Sequence, residues 1–264
     1  MPSKFSYRSI DDYRQDFIDL ARTRGATVRD FKLENSNEFI RIASRIPDSA
    51  KTAVIHMTGV HGVEGYAGCE AQNSILNDSA FFELNVGQIF ISVVNPFGMK
   101  ELRRFNSENV DLNRNLLLES SESYSGSNPV YRELYNFFNP TGAPSRIEPY
   151  LLKAILKLTK FNLQEVKQAL GEGQYDFSDG LYFGGNSRQS EIKTLVEIFT
   201  ELSGRFENLL VIDLHTGLGD YGGETIYCTE YSNPYKQFER ASHKKLTVED
   251  YSDKVGFVTR GDIQ

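Results

Sequence analysis

Two cysteines, Cys69 and Cys228, are too few to staple a chain of 264 residues, so a disulfide framework is excluded. No run of about 20 apolar residues exists, which leaves no candidate for a membrane-spanning helix. Positive charge is short: 29 Lys and Arg stand against 36 Asp and Glu, for a net charge of −7 and a pI near 5.3. A nucleic-acid partner, which needs basic side chains for its phosphates, is therefore not expected. The first residues, Met1-Pro2-Ser3-Lys4-Phe5-Ser6-Tyr7-Arg8, lack the apolar centre of a signal peptide. These absences point to a cytoplasmic enzyme or binding protein with no membrane and no nucleic-acid partner. What is present suffices for one large domain: 39% hydrophobic residues, with 14 Tyr and 18 Phe to fill a core.

The hydrophobic period organises the chain. Ser9 has the chemistry of an N-cap, and Ile10, Tyr13, Phe17, Leu20 and Ala21 follow helical spacing up to Gly25. Residues 27–46 read as two strands around Asn35-Ser36-Asn37. Thr52–Met57 is a short buried strand, Tyr66–Leu76 a helix, and Val86–Val94 the next buried strand, which stops at a turn, Asn95-Pro96-Phe97-Gly98. Strand, helix, strand with short connections is a parallel α/β unit. Residues 99–128 are polar and irregular. Helices over Val130–Phe138, Glu148–Lys160 and Leu163–Leu170 form a helical insertion, about 129–175, beside the sheet. Asp179–Gly185 reads as a loop rich in glycine and aromatics. Ser187 caps a helix with Ile192, Leu195, Val196, Phe199 and Leu202 on one face. Leu209–Leu214 is a third buried strand, Glu224–Thr229 a fourth, and Tyr235–Lys245 a helix.

Histidine is scarce, with four in the chain, and two of them lie within two residues of a glycine at the ends of predicted strands. Val54–Gly65 ends an apolar run in a turn carrying His61 and Glu64. An imidazole and a carboxylate three apart on one turn can bind one metal ion from the same side. A catalytic zinc takes three protein ligands and leaves one position open, and His215, at the end of the Leu209–Leu214 strand, is the candidate third ligand. Ligands of open α/β sheets gather at the carboxyl ends of the strands, where both segments arrive. Asp213, two residues earlier, shares a strand face with His215, where it either hydrogen-bonds the imidazole or caps a neighbouring backbone group. His56 lies inside the strand run as a core histidine, and His243 in a polar helix as a surface one. Arg103, Arg104 and Arg114 crowd the irregular stretch after the second strand. Arginine forks bind carboxylates, and a guanidinium near a metal stabilises a developing oxyanion. Gly217-Leu218-Gly219 lacks the third glycine and the lysine of a nucleotide fingerprint.

His61-Gly-Val-Glu64, Asn95-Pro96-x-Gly98, Arg103-Arg104, Asp111-Leu-Asn113-Arg114 and Asp213-Leu-His215, in that order, resemble the successive motifs of the zinc carboxypeptidase superfamily. More narrowly, the chain resembles an uncharacterised branch related to the succinylglutamate desuccinylase and aspartoacylase group. The match runs from about residue 50 to 220. The resemblance implies an α/β fold with a mostly parallel mixed sheet and helices on both faces. It implies one zinc ion held by His61, Glu64 and His215. It makes Arg103 or Arg104 the group that polarises the scissile carbonyl, and Asn113 and Arg114 the binders of the substrate's carboxylate. The activity implied is hydrolysis of an amide, peptide or N-acyl bond next to a free carboxylate, with a small carboxylate-bearing substrate or a peptide as partner.

Relatives also use a glutamate base well beyond the last zinc ligand. Here 49 residues follow His215 and none matches that motif. Glu224, Glu230, Glu239, Glu249, Asp250, Asp253 and Asp262 are the late carboxylates, and none is expected to be the base. The expectation is thus a single catalytic domain over 1–264, incomplete at its C-terminus, with weak activity. The rival is a degenerate relative that binds carboxylates or a protein partner without turnover.

Overall fold

The computed structural model describes residues 8–116, 124–126, 128–143, 149–216, 225–228 and 247–250. In chain order the elements are α1 (Ile10–Thr23), β1 (Thr27–Lys32), β2 (Phe39–Arg45), β3 (Thr52–Thr58), α2 (Gly65–Asn77), β4 (Gly87–Ser92), α3 (Pro96–Lys100), α4 (Pro129–Phe138), α5 (Tyr150–Leu158), α6 (Leu163–Glu172), α7 (Ser190–Ser203), β5 (Asn208–Leu214), β6 (Thr225–Cys228) and β7 (Thr247–Asp250). They fall into two compact units. One is Met1–Asn113 with Arg188–Thr216, the other Arg114–Ser187 with Gly217–Asp262.

The first unit is built on a five-stranded sheet in the order β1-β2-β4-β3-β5. The pairs β1–β2 and β2–β4 are antiparallel, whereas β4–β3 and β3–β5 are parallel, so the sheet is mixed. Alternation along the strands divides the core. Ala43 of β2 and Phe90 of β4 face Phe17 and Ala21 of α1 and Leu76 of α2. Their neighbours Ile42 and Ile89 point the other way, toward Ile198 and Leu202 of α7. Helices therefore cover both faces, and β4 is buried along its whole length around apolar Ile89–Ile91. The carboxyl ends of β3 and β5 lie side by side, with Met57 opposite Asp213 and Thr58 opposite Leu214.

Local chemistry fixes the elements. Ser9 closes a capping box on α1 with Asp12, and Gly25 at φ +70° ends that helix. Three expectations need correcting. Asn95-Pro96-Phe97-Gly98 is the first turn of helix α3 rather than a free turn. The Asn95 side chain caps the Gly98 amide at 2.8 Å and Pro96 supplies the fixed φ suited to N1. Ser187 does not cap α7. Gln189 holds the N-cap position without a side-chain bond, and Ile198 is buried where Val196 and Phe199 are half-buried. Finally, β5 is half-buried, since among the described residues it is an edge strand.

In the second unit, Asn128 caps α4 through the Tyr131 amide at 2.9 Å. Its side-chain nitrogen donates to Ala169 O at 2.7 Å and Gly173 O at 2.9 Å, tying α4 to the end of α6. Tyr131, Leu134 and Ala169 are buried, and Tyr135 stacks on Phe177 with ring centres 4.2 Å apart. The 179–185 segment is a loop, bridged to Gln174 at Phe183 and held by Tyr131 OH, which donates to Leu181 O at 2.7 Å, and by the Leu181 amide, which donates to Asn139 Oδ1 at 2.9 Å. β6 and β7 form a parallel pair. His243, Gly217-Leu218-Gly219, the Tyr235–Lys245 segment, Glu224, Glu230, Glu239, Asp253 and Asp262 lie outside the described residues, as do the side chains of Glu249 and Asp250. Among the described residues no helix is long and apolar enough to cross a membrane.

Candidate metal centre

β3 ends at Thr58. Gly59, at φ +73°, then turns the chain into Val60 and His61, and a single 3-10 turn, Gly62–Glu64, runs straight into α2. Side chains three apart eclipse on a 3-10 turn. This is why the spacing brings His61 Nδ1 to 3.0 Å from Glu64 Oε1. From the end of β5, His215 places its Nδ1 3.1 Å from His61 Nδ1 and 3.4 Å from Glu64 Oε2. One ligand atom from each of the three residues can be chosen so that all lie within 4.8 Å of one another. Tetrahedral ligands at about 2.1 Å from zinc stand about 3.4 Å apart, so the donor spacing suits that ion. The chemistry of the set agrees: two imidazoles and a carboxylate, each offering one ligand atom, are a donor set that suits a cation.

The surrounding groups orient these donors. The Glu64 carboxylate also accepts from the Thr216 amide at 2.7 Å. Burial pushes the Glu64 carboxyl up, but the bonds from His215 and His61, the His61 charge and the Thr216 amide outweigh it and hold the group well below the usual carboxylate range. Burial likewise works against charge on His215. The bonds to Asp213 and Glu64 prevail and the imidazole is pushed up to about 10. Asp213 Oδ2 lies 2.6 Å from His215 Nε2, which fixes the ring with Nδ1 toward His61. On the other side, the fully buried Asp111 brings Oδ1 to 3.4 Å from His61 Nε2.

Arg104 and Arg103 part company. Arg104 Nε donates to Asp111 Oδ2 at 3.0 Å and its Nη1 reaches to 3.8 Å from Glu64 Oε1. Arg103 is exposed and donates to Asn109 Oδ1 at 3.2 Å. Their carbonyls, however, both hold the ligand turn: Gly62 N donates to Arg104 O at 3.2 Å and Val63 N to Arg103 O at 2.9 Å. Gly62 meets α3 so closely that an added Cβ would stand 2.2 Å from the Gly98 carbonyl carbon. The Asn95 amide bonds Arg104 O at 3.2 Å as well as capping α3. The first three motifs thus form one assembly around the His61–Glu64 turn. Asn113 donates its backbone amide to Asp111 Oδ1 at 3.1 Å. Arg114 belongs to the second unit, where it is buried, its carbonyl accepts from Tyr175 OH at 2.6 Å and its stem lies over Gly173. Sequence reasoning gave Asp111 no role. The available signal was a carboxylate between apolar Val110 and Leu112, which must be paired once buried.

A family described as "Protein of unknown function (DUF2817)" matches residues 5–263. A comparison with curated proteins finds no match. Among solved structures, thrombin activatable fibrinolysis inhibitor is similar at 12% identity and a TM-score of 0.58, over 97% of this chain and 64% of that one. Murein-tripeptide amidase MpaA from Escherichia coli O157 is similar at 15% identity and 0.51, over 91% and 78%. A chain from Shewanella denitrificans, provisionally assigned as a metallopeptidase, is similar at 23% identity and 0.36, over 40% of each. This chain therefore spans less than two thirds of the first and third of these. Chains provisionally assigned to the succinylglutamate desuccinylase/aspartoacylase group are further neighbours. The first two likenesses show a shared fold.

Proposed function

The chain belongs to the DUF2817 family, and from that premise we propose that it is a zinc-dependent hydrolase of an amide, peptide or N-acyl bond next to a free carboxylate. The observation that carries this reading is the convergence of His61, Glu64 and His215 within 4.8 Å. Bound by those three, zinc supplies a Lewis acid for the scissile carbonyl and a water of lowered pKa. The chain's own residues do the rest. Asp213 holds the His215 imidazole with Nδ1 turned to the centre, and the Asp111 carboxylate places a negative charge 3.4 Å from His61 Nε2. Arg104, half-exposed and next to Glu64, offers N–H donors where negative charge develops on the carbonyl oxygen. Asn113 and Arg114 are assigned to the substrate's carboxylate. Arg103 is left with a backbone role through its carbonyl. The helical segment of about 129–175 is read as an insertion in the one catalytic domain.

Zinc content of the purified chain, followed by hydrolysis of a panel of N-acyl amino acids and dipeptides, tests the proposal. Zinc near one equivalent is expected in the wild type and its loss in His61→Ala and Glu64→Ala. Removing a donor to a developing oxyanion costs about 10²–10³ in kcat. Arg104→Ala is expected to lose on that order, with Arg103→Ala within a few-fold of wild type. Equal effects of the two substitutions would overturn the assignment to Arg104. Zinc without turnover on the whole panel would overturn the hydrolase reading and leave a carboxylate-binding relative.

A further inference from the structure

Asn106 touches none of the donor atoms, yet the loop bearing Arg104 and Asp111 closes around it. The side chain is 1% exposed. Its Oδ1 accepts from Glu108 N at 3.1 Å and Val110 N at 2.9 Å. Its backbone amide donates to Val110 O at 3.1 Å, and its carbonyl accepts from Asn109 N at 3.1 Å, with Asn109 left-handed at φ 60°. The other end of the amide faces the start of α7. Nδ2 donates to Gln189 Oε1 at 2.9 Å and lies 3.4 Å from each oxygen of Glu191. Gln189 and Glu191 are themselves buried, at 7% and 5% exposure. Above all, burial raises the Glu191 carboxyl above its ordinary pKa.

Arg104 precedes this knot by two residues and Asp111 follows Val110 directly. The Arg104–Asp111 bond at 3.0 Å closes the neck of the loop. We propose that Asn106 is a positioning residue for the metal centre: its amide clamps the 103–111 loop to the first turn of α7 and so fixes Arg104 and Asp111 against Glu64 and His61. The inference rests on the metal-centre reading above. Only a side chain with an acceptor on one end and donors on the other meets both sets of partners. Aspartate would lose the donor and face a buried carboxylate. Leucine would lose both ends. At position 191, by contrast, glutamine keeps an acceptor for Nδ2.

Two readouts separate positioning from plain stability. The first needs no metal: amide hydrogen exchange at Gly62 and Val63, whose N–H bonds end on the Arg104 and Arg103 carbonyls. The second is zinc affinity by competition titration, in a double-mutant cycle of Asn106→Leu with Asp111→Asn. Partners of metal ligands are worth about 10–100-fold in affinity. Asn106→Leu is expected to weaken zinc binding within that range and to speed exchange at Gly62 and Val63 at least tenfold, with cooperative melting retained. It is expected to add less than about twofold once Asp111 is already asparagine. Glu191→Gln is expected to restore near-wild-type behaviour where Glu191→Leu does not. Full multiplication of the two losses, or unchanged exchange at Gly62 and Val63, would overturn the proposal. If Asn106→Leu does not fold, Gln189→Ala, which removes the shortest outward bond alone, decides by the same two readouts. If the wild type binds no zinc, the metal reading fails, and exchange at Gly62 and Val63 still decides whether the clamp exists.

Discussion

Leu102 stands where glycine is usual. It follows α3 at φ 53°, with its amide 3.3 Å from Met99 O and the next amide, Arg103 N, 2.7 Å from Gly98 O. That pair of bonds is a Schellman cap, and the chain leaves it into Arg103, which bonds Asn109, and Arg104, which bonds Asp111. The left-handed region costs a non-glycine residue roughly 1–2 kcal/mol, part of which glycine gives back in unfolded-state entropy. Leu102 is 57% exposed, so truncation loses little burial. Leu102→Gly is expected to raise stability by about 0.5–1 kcal/mol in urea unfolding. A fall would mean that the leucine side chain contributes packing that its exposure does not suggest. His56 gives a pH prediction. It is buried on β3 with no hydrogen bond to Nδ1, and burial depresses its pKa to about 4. Protonation then favours the unfolded chain, whose imidazole titrates near its ordinary 6.5. Stability is full above that value and is lost as pH falls toward 4, by about 3 kcal/mol in all. His56→Leu should flatten that part of the pH–stability curve, and a curve as steep as wild type would refute the assignment. At this scale the sequence was readable where residues were scarce. His61 and His215 stood out because histidines are few and each lies within two residues of a glycine at a strand end. Arg103 and Arg104 could not be told apart, because adjacent residues differ only through the backbone that presents them.

The element that holds the centre together is the Gly62–Glu64 turn resting on α3. With 2.2 Å between a built Cβ on Gly62 and the Gly98 carbonyl carbon, Gly62→Ala must push two backbones apart. Overpacking of that kind costs about 1–3 kcal/mol, and here it would also stretch the links from Gly62 N and Val63 N to the arginine carbonyls. Expected are a destabilisation in that range and a loss of zinc affinity. The control is Gly142→Ala, where nothing lies within 4 Å and stability should stay within about 0.5 kcal/mol. Equal behaviour of the two variants would show that the turn yields easily. Regular elements were legible because their faces are periodic: Ile10, Tyr13, Phe17 and Ala21 bury along α1 as their spacing demands. Caps were less so. Asn95-Pro96 is a turn signal and a helix-start signal at once, and the contacts of the next residues decide between them. The Gln189 cap of α7 makes no side-chain bond, so the sequence carried nothing to read there.

At the scale of the molecule, local pattern gave the strands but could not give their order. Placing β4 between β2 and β3 depends on pairings between segments dozens of residues apart, and the resemblance implied only a mixed sheet with helices on both faces. The same long-range folding gathers charge. Glu64, Asp111 and Asp213 meet around two imidazoles, with Arg104 as the nearby guanidinium. A divalent cation bound at their centre would neutralise part of this excess, and any ion that binds the folded chain alone stabilises it by mass action, by about 4 kcal/mol at a thousandfold excess over Kd. Removing it with a chelator should therefore lower the melting temperature on the order of 10 °C for a unit of this size. Added zinc should restore it. The change should vanish in His61→Ala and His215→Ala, which lack a ligand, and persist in Arg103→Ala, which keeps all three. A chelator effect of the same size in the ligand variants would place the stabilising ion elsewhere in the chain. No effect in the wild type would mean that the fold gathers these donors without binding a metal.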